Sequence, residues 1–360
     1  MKILITAPSL DENKNVSGIS TLVAQIIKRG RAEFYHFEAG RRDGEKINAQ
    51  WISSQTLLVP RFLNLIRREK IDLVHINTAL VPLSIVRDAA LVFAARPAKR
   101  PVLLHLHGGR FLMEDFDNRI LANIAEKMFR RADVILVLSE HEKESLAKRW
   151  TNLNIEVLPN AVETDQIPNI EKSVSNSNEK TIIFLGRLHE SKGLHEIIEA
   201  CRILKNENCK FQFRCFGAGA LKEFFTTEMA AILGDKFYYG GVVSGTEKWR
   251  QLAESDIFLL PSRYGEGLPM AMLEALAAEC VVVVADVASV RAVIRDGENG
   301  LMVEPYNAAQ IVEKLKFLFS DRADYETLRR NARLTVEQHF AFTDYIVRLE
   351  SIYSKLSAPQ

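Results

Sequence analysis

The chain has 360 residues, more than one hydrophobic core normally contains, and its length predicts two domains. Its 47% hydrophobic and 26% charged residues are typical of a soluble globular protein, and no apolar run approaches the ~20 residues that cross a bilayer. A net charge of +1 gives no reason to expect nucleic acid as a partner. The cysteines show no paired short spacing, which predicts reduced thiols in a cytoplasmic protein (Cys201, Cys209, Cys215, Cys280).

The chain begins with a predicted buried strand over residues 2–7, a polar loop over 8–17 and a helix from Gly18 to about Arg29. A strand, a glycine loop and a helix at the start of an α/β chain can present backbone amides to phosphate or sugar. Gly18 is equally well explained as a plain turn residue. The loop has no G-x-G-x-x-G sequence, so the fingerprint of dinucleotide-binding proteins is absent.

Short apolar runs then alternate with helical patterns, which predicts a parallel sheet covered on both faces. The predicted strands are residues 34–37, 73–76, 102–106, 134–138 and 155–158. Ligands of such sheets gather beyond the carboxyl ends of the strands. His107 stands at one such end, before Gly108 and Gly109, where a structural and a functional role are about equally expected.

Two basic stretches lie between these strands, one from Arg61 to Lys70 and one from Arg96 to Arg100. Their cations can contact anionic lipid headgroups or the phosphates of an acceptor. Solvated helix faces explain them as well. The sequence therefore leaves open whether the protein is purely cytoplasmic or also peripheral on the inner face of the membrane.

Residues 160–180 are polar, contain Pro168 and a Ser/Asn cluster, and have no periodicity, which predicts a linker. A second alternation follows, with predicted strands at residues 181–185, 211–216, 237–239, 257–260, 281–285 and 301–303. Two halves built alike predict an α/β protein of two Rossmann-like parallel-sheet domains facing across a cleft. The last predicted helices, about 321–339 and 343–357, carry no visible chemistry.

One strand–loop–helix unit of the second half carries two carboxylates, Glu266 and Glu274. The pattern predicts a helix that starts near Leu268, with Pro269 in its first turn, where a missing N–H costs nothing. Backbone amides from Gly267 onward would then lie between the carboxylates at the positive end of the helix, where a pyrophosphate is favoured. An ordinary surface unit with two glutamates is the alternative.

A second such unit contains Gly186, Arg187 and Lys192. Gly186 lets a ligand approach the backbone, and the two cations lie beside a predicted helix N-terminus. This arrangement suits a diphosphate leaving group, because the charge that develops on bond cleavage must be neutralised. Two basic residues in a loop are by themselves a weak signal.

Four motifs occur together in this order: F-x-G-R-x-x-x-x-K-G, G-A-G at residues 217–219, P-S-R-Y-G-E-G-L-P-M-A-x-x-E-A-x-A, and D-G-E-N-G-L-M-V at residues 296–303. They resemble the family-4 retaining glycosyltransferases of the GT-B fold, the group 1 glycosyl transferases. The resemblance is dense from about residue 181 to 304. The first half matches only in pattern, at the Gly18 loop, at His107-Gly108 and at Leu158-Pro159-Asn160.

The resemblance implies a role for each matching residue. Arg187 and Lys192 would hold the donor diphosphate, Glu274 the ribose hydroxyls and Glu266 the hydroxyls of the transferred sugar. His107 would lie near that sugar. Backbone groups would contact phosphate, sugar or base at Gly18, Gly186, Gly217, Val243, Gly267 and Leu268. Ser17-Gly18 replaces the double glycine of many members, so the phosphate contact expected there departs from the family pattern.

The resemblance also implies an activity: a retaining, metal-independent hexosyltransferase that uses a nucleoside-diphosphate sugar, with a UDP-sugar favoured, and no cofactor. The acceptor would be a saccharide, lipid-linked in surface-polysaccharide assembly. Residues 1–160 would form the acceptor-side domain, 161–342 the nucleotide-sugar domain, and 343–360 would pack back on the first domain. The alternatives are a nucleotide-sugar epimerase, a sugar phosphorylase or a non-catalytic nucleotide-sugar-binding protein.

Overall fold

A computed structural model describes residues 1–11, 15, 17–40, 55–167, 179–320 and 324–358. The chain divides into two compact units. The first unit comprises Met1–Asn160 together with Thr343–Gln360, and the second comprises Ala161–Phe342.

The first unit is built on a parallel sheet of six described strands in the order β2-β1-β3-β4-β5-β6. The central strands β3, β4 and β5 are buried along their whole length, because both faces of the sheet are covered by helices. The strands are β1 (Lys2–Ala7), β2 (Glu33–Glu38), β3 (Leu73–Thr78), β4 (Val102–Leu106), β5 (Val134–Val137) and β6 (Ile155–Val157).

Helices cover this sheet. Three of them begin at a side chain that accepts hydrogen bonds from their first amides: Ser17 caps α1, Asn118 caps α5 and Ser139 caps α6. The helices are α1 (Gly18–Arg29), α2 (Leu58–Arg68), α3 (Pro82–Ala95), the short α4 (Arg110–Met113), α5 (Arg119–Phe129) and α6 (Glu140–Arg149). The last helix, α13 (Phe342–Ser357), contacts the same sheet, where the fully buried Tyr353 hydroxyl lies 2.7 Å from His75 Nδ1 on β3.

The second unit has its own parallel sheet of six described strands, in the order β12-β11-β10-β7-β8-β9. Its strands are β7 (Lys180–Leu185), β8 (Phe211–Phe216), β9 (Phe237–Tyr239), β10 (Ile257–Leu260), β11 (Val281–Ala285) and β12 (Leu301–Val303). Its helices are α7 (Leu194–Asn206), α8 (Lys222–Leu233), α9 (Gly245–Ala253), α10 (Met270–Ala277), α11 (Ala308–Phe319) and α12 (Tyr325–His339).

The predicted fold class is confirmed, since both units are Rossmann-like parallel sheets with helices around them. Every predicted strand is present, with ends that differ by two residues at most. The predicted helix start near Leu268 is wrong. α10 begins at Met270, with Pro269 at the N-cap position and ψ 120°. Leu268 is kept out of the helix because a residue followed by proline disfavours the helical region.

The predicted linker lies largely outside the described residues, at 168–178. Its described beginning is ordered within the second unit. Val162 forms a bridge with Ala341, and Thr164–Gln166 form one 3₁₀ turn. The change of unit therefore falls between Asn160 and Ala161, before most of the polar segment.

Candidate active site

The strand order of the second unit reverses direction beside β7. Strands β8 and β9 follow on one side of β7, and β10, β11 and β12 follow on the other. In a parallel α/β sheet, such a reversal opens a crevice at the carboxyl ends of the two strands that flank it. The loop after β7 carries Arg187 and Lys192, and the loop after β10 carries Glu266.

The side chains of Lys192 and Glu266 meet at this reversal and form an ion pair. The Ser262 hydroxyl donates a second hydrogen bond to Glu266 Oε1, at 2.7 Å. Burial tends to raise the pKa of Glu266, but the charge and hydrogen bond of Lys192, the Ser262 hydroxyl and the charge of Arg187 outweigh burial and hold this pKa below its usual value. Glu266 is therefore an ionised carboxylate at neutral pH.

A glycine makes the contact between the two loops possible. Gly193 follows Lys192 with φ 71°, and a Cβ atom there would lie 2.0 Å from the Pro261 carbonyl oxygen. The Arg263 amide donates a hydrogen bond of 2.8 Å to the Ser191 carbonyl. The two loops are thus in backbone contact on both sides of Lys192, which brings its side chain within reach of Glu266.

The Arg263 side chain adds a further link between the same loops. Its guanidinium group donates hydrogen bonds to both carboxylate oxygens of the buried Glu196 on α7, at 2.7–3.1 Å. A two-point arginine–carboxylate contact fixes orientation as well as distance. Arg263 is therefore committed to α7 and supports the loop.

The loops after β7, β8 and β9 also converge. Gly217 has φ 135°, and a Cβ atom there would lie 1.9 Å from the Gly186 carbonyl oxygen. The Gly217 amide donates to the Gly241 carbonyl at 2.7 Å, and the Tyr239 hydroxyl donates to the Gly217 carbonyl at 2.8 Å. Val243 lies two residues beyond Gly241 and is partly exposed. The structure therefore places Gly186 and Gly217 in contact, with Val243 on the adjoining loop.

The segment between the two glutamates is compact. Gly267 and Leu268 are buried. Neither has a polar side chain, so only their backbone groups could hydrogen-bond a ligand. Glu274 lies on α10 and forms a buried ion pair with Lys248 of α9, whose Nζ is 2.6 Å from Glu274 Oε1. Glu266 and Glu274 thus lie on one loop–helix segment, and each carboxylate faces its own lysine.

His107 belongs to the first unit and follows β4. Its Nε2 lies 2.7 Å from Asn77 Oδ1, and Asn77 on β3 in turn donates to the Thr6 carbonyl of β1 at 2.9 Å. Burial lowers the pKa of His107 to about 3, against a smaller opposing effect of a hydrogen bond with Asn160. His107 is therefore neutral at neutral pH and, since an amide oxygen accepts its Nε2–H, it offers no positive charge to a phosphate.

Two further histidines lie near His107 in the sheet, His105 on β4 and His75 on β3. His105 packs on His107 with ring centroids 4.0 Å apart, and His75 lies 5.6 Å from His105. Burial lowers the pKa of His75 to about 3 and the pKa of His105 well below its usual value. All three rings are thus held neutral inside the first unit.

Gly18 is the first residue of α1 and is exposed. The Ser17 hydroxyl accepts a hydrogen bond from the Ser20 amide at 3.2 Å, and Asn15 donates to the hydroxyls of Ser17 and Ser20 at 3.2 and 2.7 Å. Ser17 therefore acts as the helix cap at the position where the family pattern has its first glycine. Part of the preceding loop, residues 12–14 and 16, lies outside the described residues.

Within the second unit, the structure brings Lys192, Glu266 and the charge of Arg187 together, and joins Gly186 to Gly217. Sequence reasoning did not identify Lys248, Ser262 or Asn77. Ser262 lies inside a motif that was recognised, and Asn77 is a polar residue in an apolar strand, so both had a local signal. Lys248 had none, because 26 residues separate it from Glu274.

Within the described part of the chain, no helix combines the length and apolar content needed to cross a membrane. Among the same residues, no group of three His, Cys, Asp or Glu side chains is arranged to hold a metal ion.

Two family models match consecutive parts of the chain. Residues 34–166 match the model described as Glycosyltransferase Family 4, and residues 165–335 match the model described as Glycosyl transferases group 1. The boundary between the two matches falls at residues 165–166, close to the start of the second unit at Ala161.

Curated relatives match mainly through part of their length. A Salmonella typhimurium protein named for colanic acid biosynthesis, the glycosyltransferase WcaL, is 35% identical over 168 residues, which are 44% of this chain and 41% of that protein. The Erwinia amylovora amylovoran biosynthesis glycosyltransferase AmsK is 33% identical over 181 residues, which are 48% of this chain and 44% of AmsK. The matched region therefore spans less than half of either relative.

Solved structures share the fold over nearly the whole chain. Anabaena HepE in complex with UDP-glucose has a TM-score of 0.77 at 19% identity, over 99% of this chain and all of that one. Sucrose-phosphate synthase from Thermosynechococcus elongatus has a TM-score of 0.78 at 15% identity, over 99% and 98% of the two chains. At these identities the likeness establishes the fold alone.

Proposed function

This chain belongs to the group 1 glycosyl transferases, and we propose that it transfers a hexose from a nucleoside-diphosphate sugar to a saccharide acceptor. The observation that carries the proposal is the contact between Lys192 and Glu266 where the strand order of the second unit reverses. At this position, a cation that can bind a diphosphate lies beside a carboxylate that can bind sugar hydroxyls.

In the proposed complex, the diphosphate lies against Lys192 and Arg187, whose charges neutralise the negative charge that develops on the leaving group. Glu274 accepts hydrogen bonds from the ribose hydroxyls, and Glu266 accepts them from the transferred sugar. The base occupies the loops around Gly217 and Val243. A uridine donor is favoured, in keeping with the UDP-glucose bound by the similar HepE fold.

The proposed reaction retains the configuration of the anomeric carbon. The acceptor hydroxyl attacks from the face that the diphosphate leaves, and a phosphate oxygen takes the acceptor proton. Glu266 is ionised and already engaged by Lys192 and Ser262, so it positions the sugar and stabilises positive charge on it. Neutral His107 in the first unit would hydrogen-bond a sugar hydroxyl.

Charge neutralisation in this scheme falls to protein groups, so we propose a metal-independent transferase. Arg187, Lys192 and the amides before α10 supply the positive potential that a divalent cation supplies in other sugar transferases. Turnover that is unchanged after EDTA treatment is the expected result.

We further propose that the acceptor belongs to a growing surface polysaccharide and is lipid-linked. The relatives named for colanic acid and amylovoran biosynthesis support this assignment. The first unit would then hold the acceptor, and its basic stretches would bring the protein to the inner face of the membrane.

The experiment that tests the activity is incubation with UDP-, GDP- and dTDP-hexoses, with and without an oligosaccharide acceptor mixture. Nucleoside diphosphate release that requires the acceptor supports transfer. An epimerised sugar nucleotide without acceptor, or binding with no release under any condition, would contradict the proposal and indicate an epimerase or a non-catalytic binding protein.

A further inference from the structure

A groove on the first unit lies between α2 and α3, with a volume of about 630 Å³. This volume is within the ~300–1,000 Å³ range of pockets that hold small organic ligands. The residues that line the groove come from the two helices and from the turn that follows each of them, and include Arg67, Lys70, Ala90, Ala94 and Arg100.

The charged part of the groove is cationic. Among the described residues that line it, the charged side chains are Arg67, Lys70 and Arg100, and none is acidic. Other cations of the same stretches are already paired: Arg68 with Glu69, and Arg96 with Asp133.

Arg100 has a buried guanidinium nitrogen that the described protein groups leave unpaired. Its Nε atom is buried and has no hydrogen-bond partner among the residues that the structure describes, whereas the residue as a whole is partly exposed. Burying part of a guanidinium group in this way is costly, because its hydration is lost and nothing replaces it. An anion bound to the exposed part of the group would offset this cost through its charge.

The remaining lining is apolar, and the apolar surface continues outward along α3. Ala90 and Ala94 lie in the groove, and Leu83 and Val86 lie on the same helix face at the helical spacing of three to four residues. Leu83 and Val86 are 57% and 53% exposed. A ligand that fits both parts has an anionic head and a hydrocarbon tail.

The groove lies at the amino ends of the strands, whereas His107 lies at their carboxyl ends. Lys70 and Arg100 come just before β3 and β4 begin, at Leu73 and Val102, whereas His107 follows the carboxyl end of β4. A strand of five residues rises about 16 Å. The cations are therefore not part of the candidate active site.

We propose that this groove binds one molecule of an anionic glycerophospholipid of the membrane. The lipid phosphate accepts hydrogen bonds from the accessible donors of Arg67, Lys70 and Arg100. Its acyl chain lies on Ala90 and Ala94 and leaves the groove past the exposed residues of α3. The basic stretches would thus bind one lipid molecule per chain at a defined site and would not act only through general charge attraction. This binding does not depend on the transfer reaction.

The test uses the full chain and dihexanoyl phosphatidic acid, kept below the concentration at which it forms micelles. Calorimetric titration is expected to show saturable binding of one lipid per chain, with no binding of dihexanoyl phosphatidylcholine and much weaker binding of inorganic phosphate. The variant Arg67→Gln/Lys70→Gln/Arg100→Gln is expected to bind ~100-fold more weakly, because each basic residue contributes roughly fivefold near an anionic lipid.

Two controls separate a built site from general charge attraction. Lys28→Gln/Arg119→Gln/Lys148→Gln removes three exposed cations from the same unit and is expected to bind like the wild type. Ala94→Phe keeps all three groove cations but fills the apolar floor, and is expected to reduce affinity for the lipid at least tenfold while that for phosphate is unchanged. Circular dichroism and urea unfolding confirm that each variant is folded.

The proposal would be overturned if the wild type showed no saturable binding of the anionic lipid. It would also be overturned if the groove and control triple variants lost lipid affinity equally, or if the wild type bound phosphate as tightly as the lipid. Donor binding and nucleotide release are measured on the same variants. Their retention in the groove triple variant shows that failure of the lipid site is separate from failure of the proposed transferase activity.

Discussion

Lys248 and Glu274 form a buried ion pair that joins α9 to α10, with Nζ 2.6 Å from Oε1 and side chains that are 14% and 5% exposed. The pair places a fixed carboxylate on the helix that follows the Glu266 loop. Lys248 lies outside the motif, yet it holds Glu274, the second glutamate of the motif, in place.

Removing Lys248 is expected to destabilise the protein by about 3 kcal/mol, because the Glu274 carboxylate is left buried without its counter-charge. The double variant Lys248→Met/Glu274→Met is expected to regain most of this loss, since no unpaired charge remains. Urea unfolding of the two single variants and the double variant measures the coupling. A change in the free energy of unfolding of the double variant that equals the sum of the changes of the two single variants would show that the pair is not coupled. Lys205→Met, at an exposed position of α7, provides the control.

Replacing Lys192 by alanine is expected to lower nucleotide-sugar turnover about 100-fold or more, which corresponds to the ~3 kcal/mol typical of a lost charge-stabilising donor. The exposed Lys205 on α7 offers a matched control, and Lys205→Ala is expected to retain wild-type turnover. Steady-state rates of nucleoside diphosphate release give the comparison. Turnover of Lys192→Ala within tenfold of the wild type would refute the assignment of Lys192 to the diphosphate.

Replacing Glu266 by glutamine is expected to reduce turnover, because the amide does not stabilise positive charge on the transferred sugar and no longer pairs with Lys192. The same assay, with donor affinity measured in parallel, checks this expectation. Full turnover with unchanged donor affinity would remove Glu266 from the proposed mechanism.

Gly193 and Gly297 separate steric contact from backbone conformation. Both have positive φ, 71° and 80°, but a Cβ atom at Gly193 would lie 2.0 Å from the Pro261 carbonyl, whereas one at Gly297 meets nothing within 4 Å. Gly297→Ala is therefore expected to cost about 1–2 kcal/mol of unfolding free energy, the cost of positive φ alone. Gly193→Ala is expected to cost clearly more and to lower turnover, since the Lys192 and Glu266 loops must separate. Equal effects of both substitutions on stability and rate would contradict this account.

Three histidines with lowered pKa values, His75, His105 and His107, make stability depend on pH. The unfolded chain binds their protons below about pH 6.5, whereas burial lowers the pKa of His75 and His107 to about 3 in the folded protein, so acid favours unfolding between these values. Each histidine contributes a slope of up to about 1.4 kcal/mol per pH unit.

The variant His105→Leu checks this contribution by urea unfolding between pH 7 and 4.5. It is expected to show a shallower fall in stability than the wild type, because the pKa of His105 is also held well below its usual value by burial. The exposed His141 supplies the control, and His141→Gln is expected to follow the wild-type slope. Identical slopes in all three proteins would contradict the buried neutral state of His105.

The sequence predicted the fold because its strands are apolar runs bounded by polar loops, so period and length identified them without tertiary information. β11, with V-V-V-V-A buried throughout, is the plainest case. The start of α10 was mispredicted because Pro269 was placed in the first turn, although the residue before a proline is itself kept out of the helix.

Long-range side-chain pairs could not be predicted in the same way. The family resemblance implied that Lys192 binds the diphosphate and Glu266 the sugar, but it did not imply that the two side chains form an ion pair. Lys248 with Glu274, and Arg263 with Glu196, depend on which helices become neighbours, and no spacing in the sequence encodes that. The basic stretches were recognised, but only the packing of α2 against α3 separates the paired cations from those that line the groove.

The central claim is that the second unit binds a nucleoside-diphosphate sugar through the loops after β7 and β10 and through α10. The most direct test is calorimetric titration of the wild type, Lys192→Ala, Glu274→Gln and the Lys205→Ala control with UDP-, GDP- and dTDP-sugars. We expect saturable binding of one of these donors, a UDP-sugar first, with affinity at least tenfold weaker in Lys192→Ala and Glu274→Gln and unchanged in Lys205→Ala. Absence of binding to every donor, or equal affinity in all four proteins, would contradict the account.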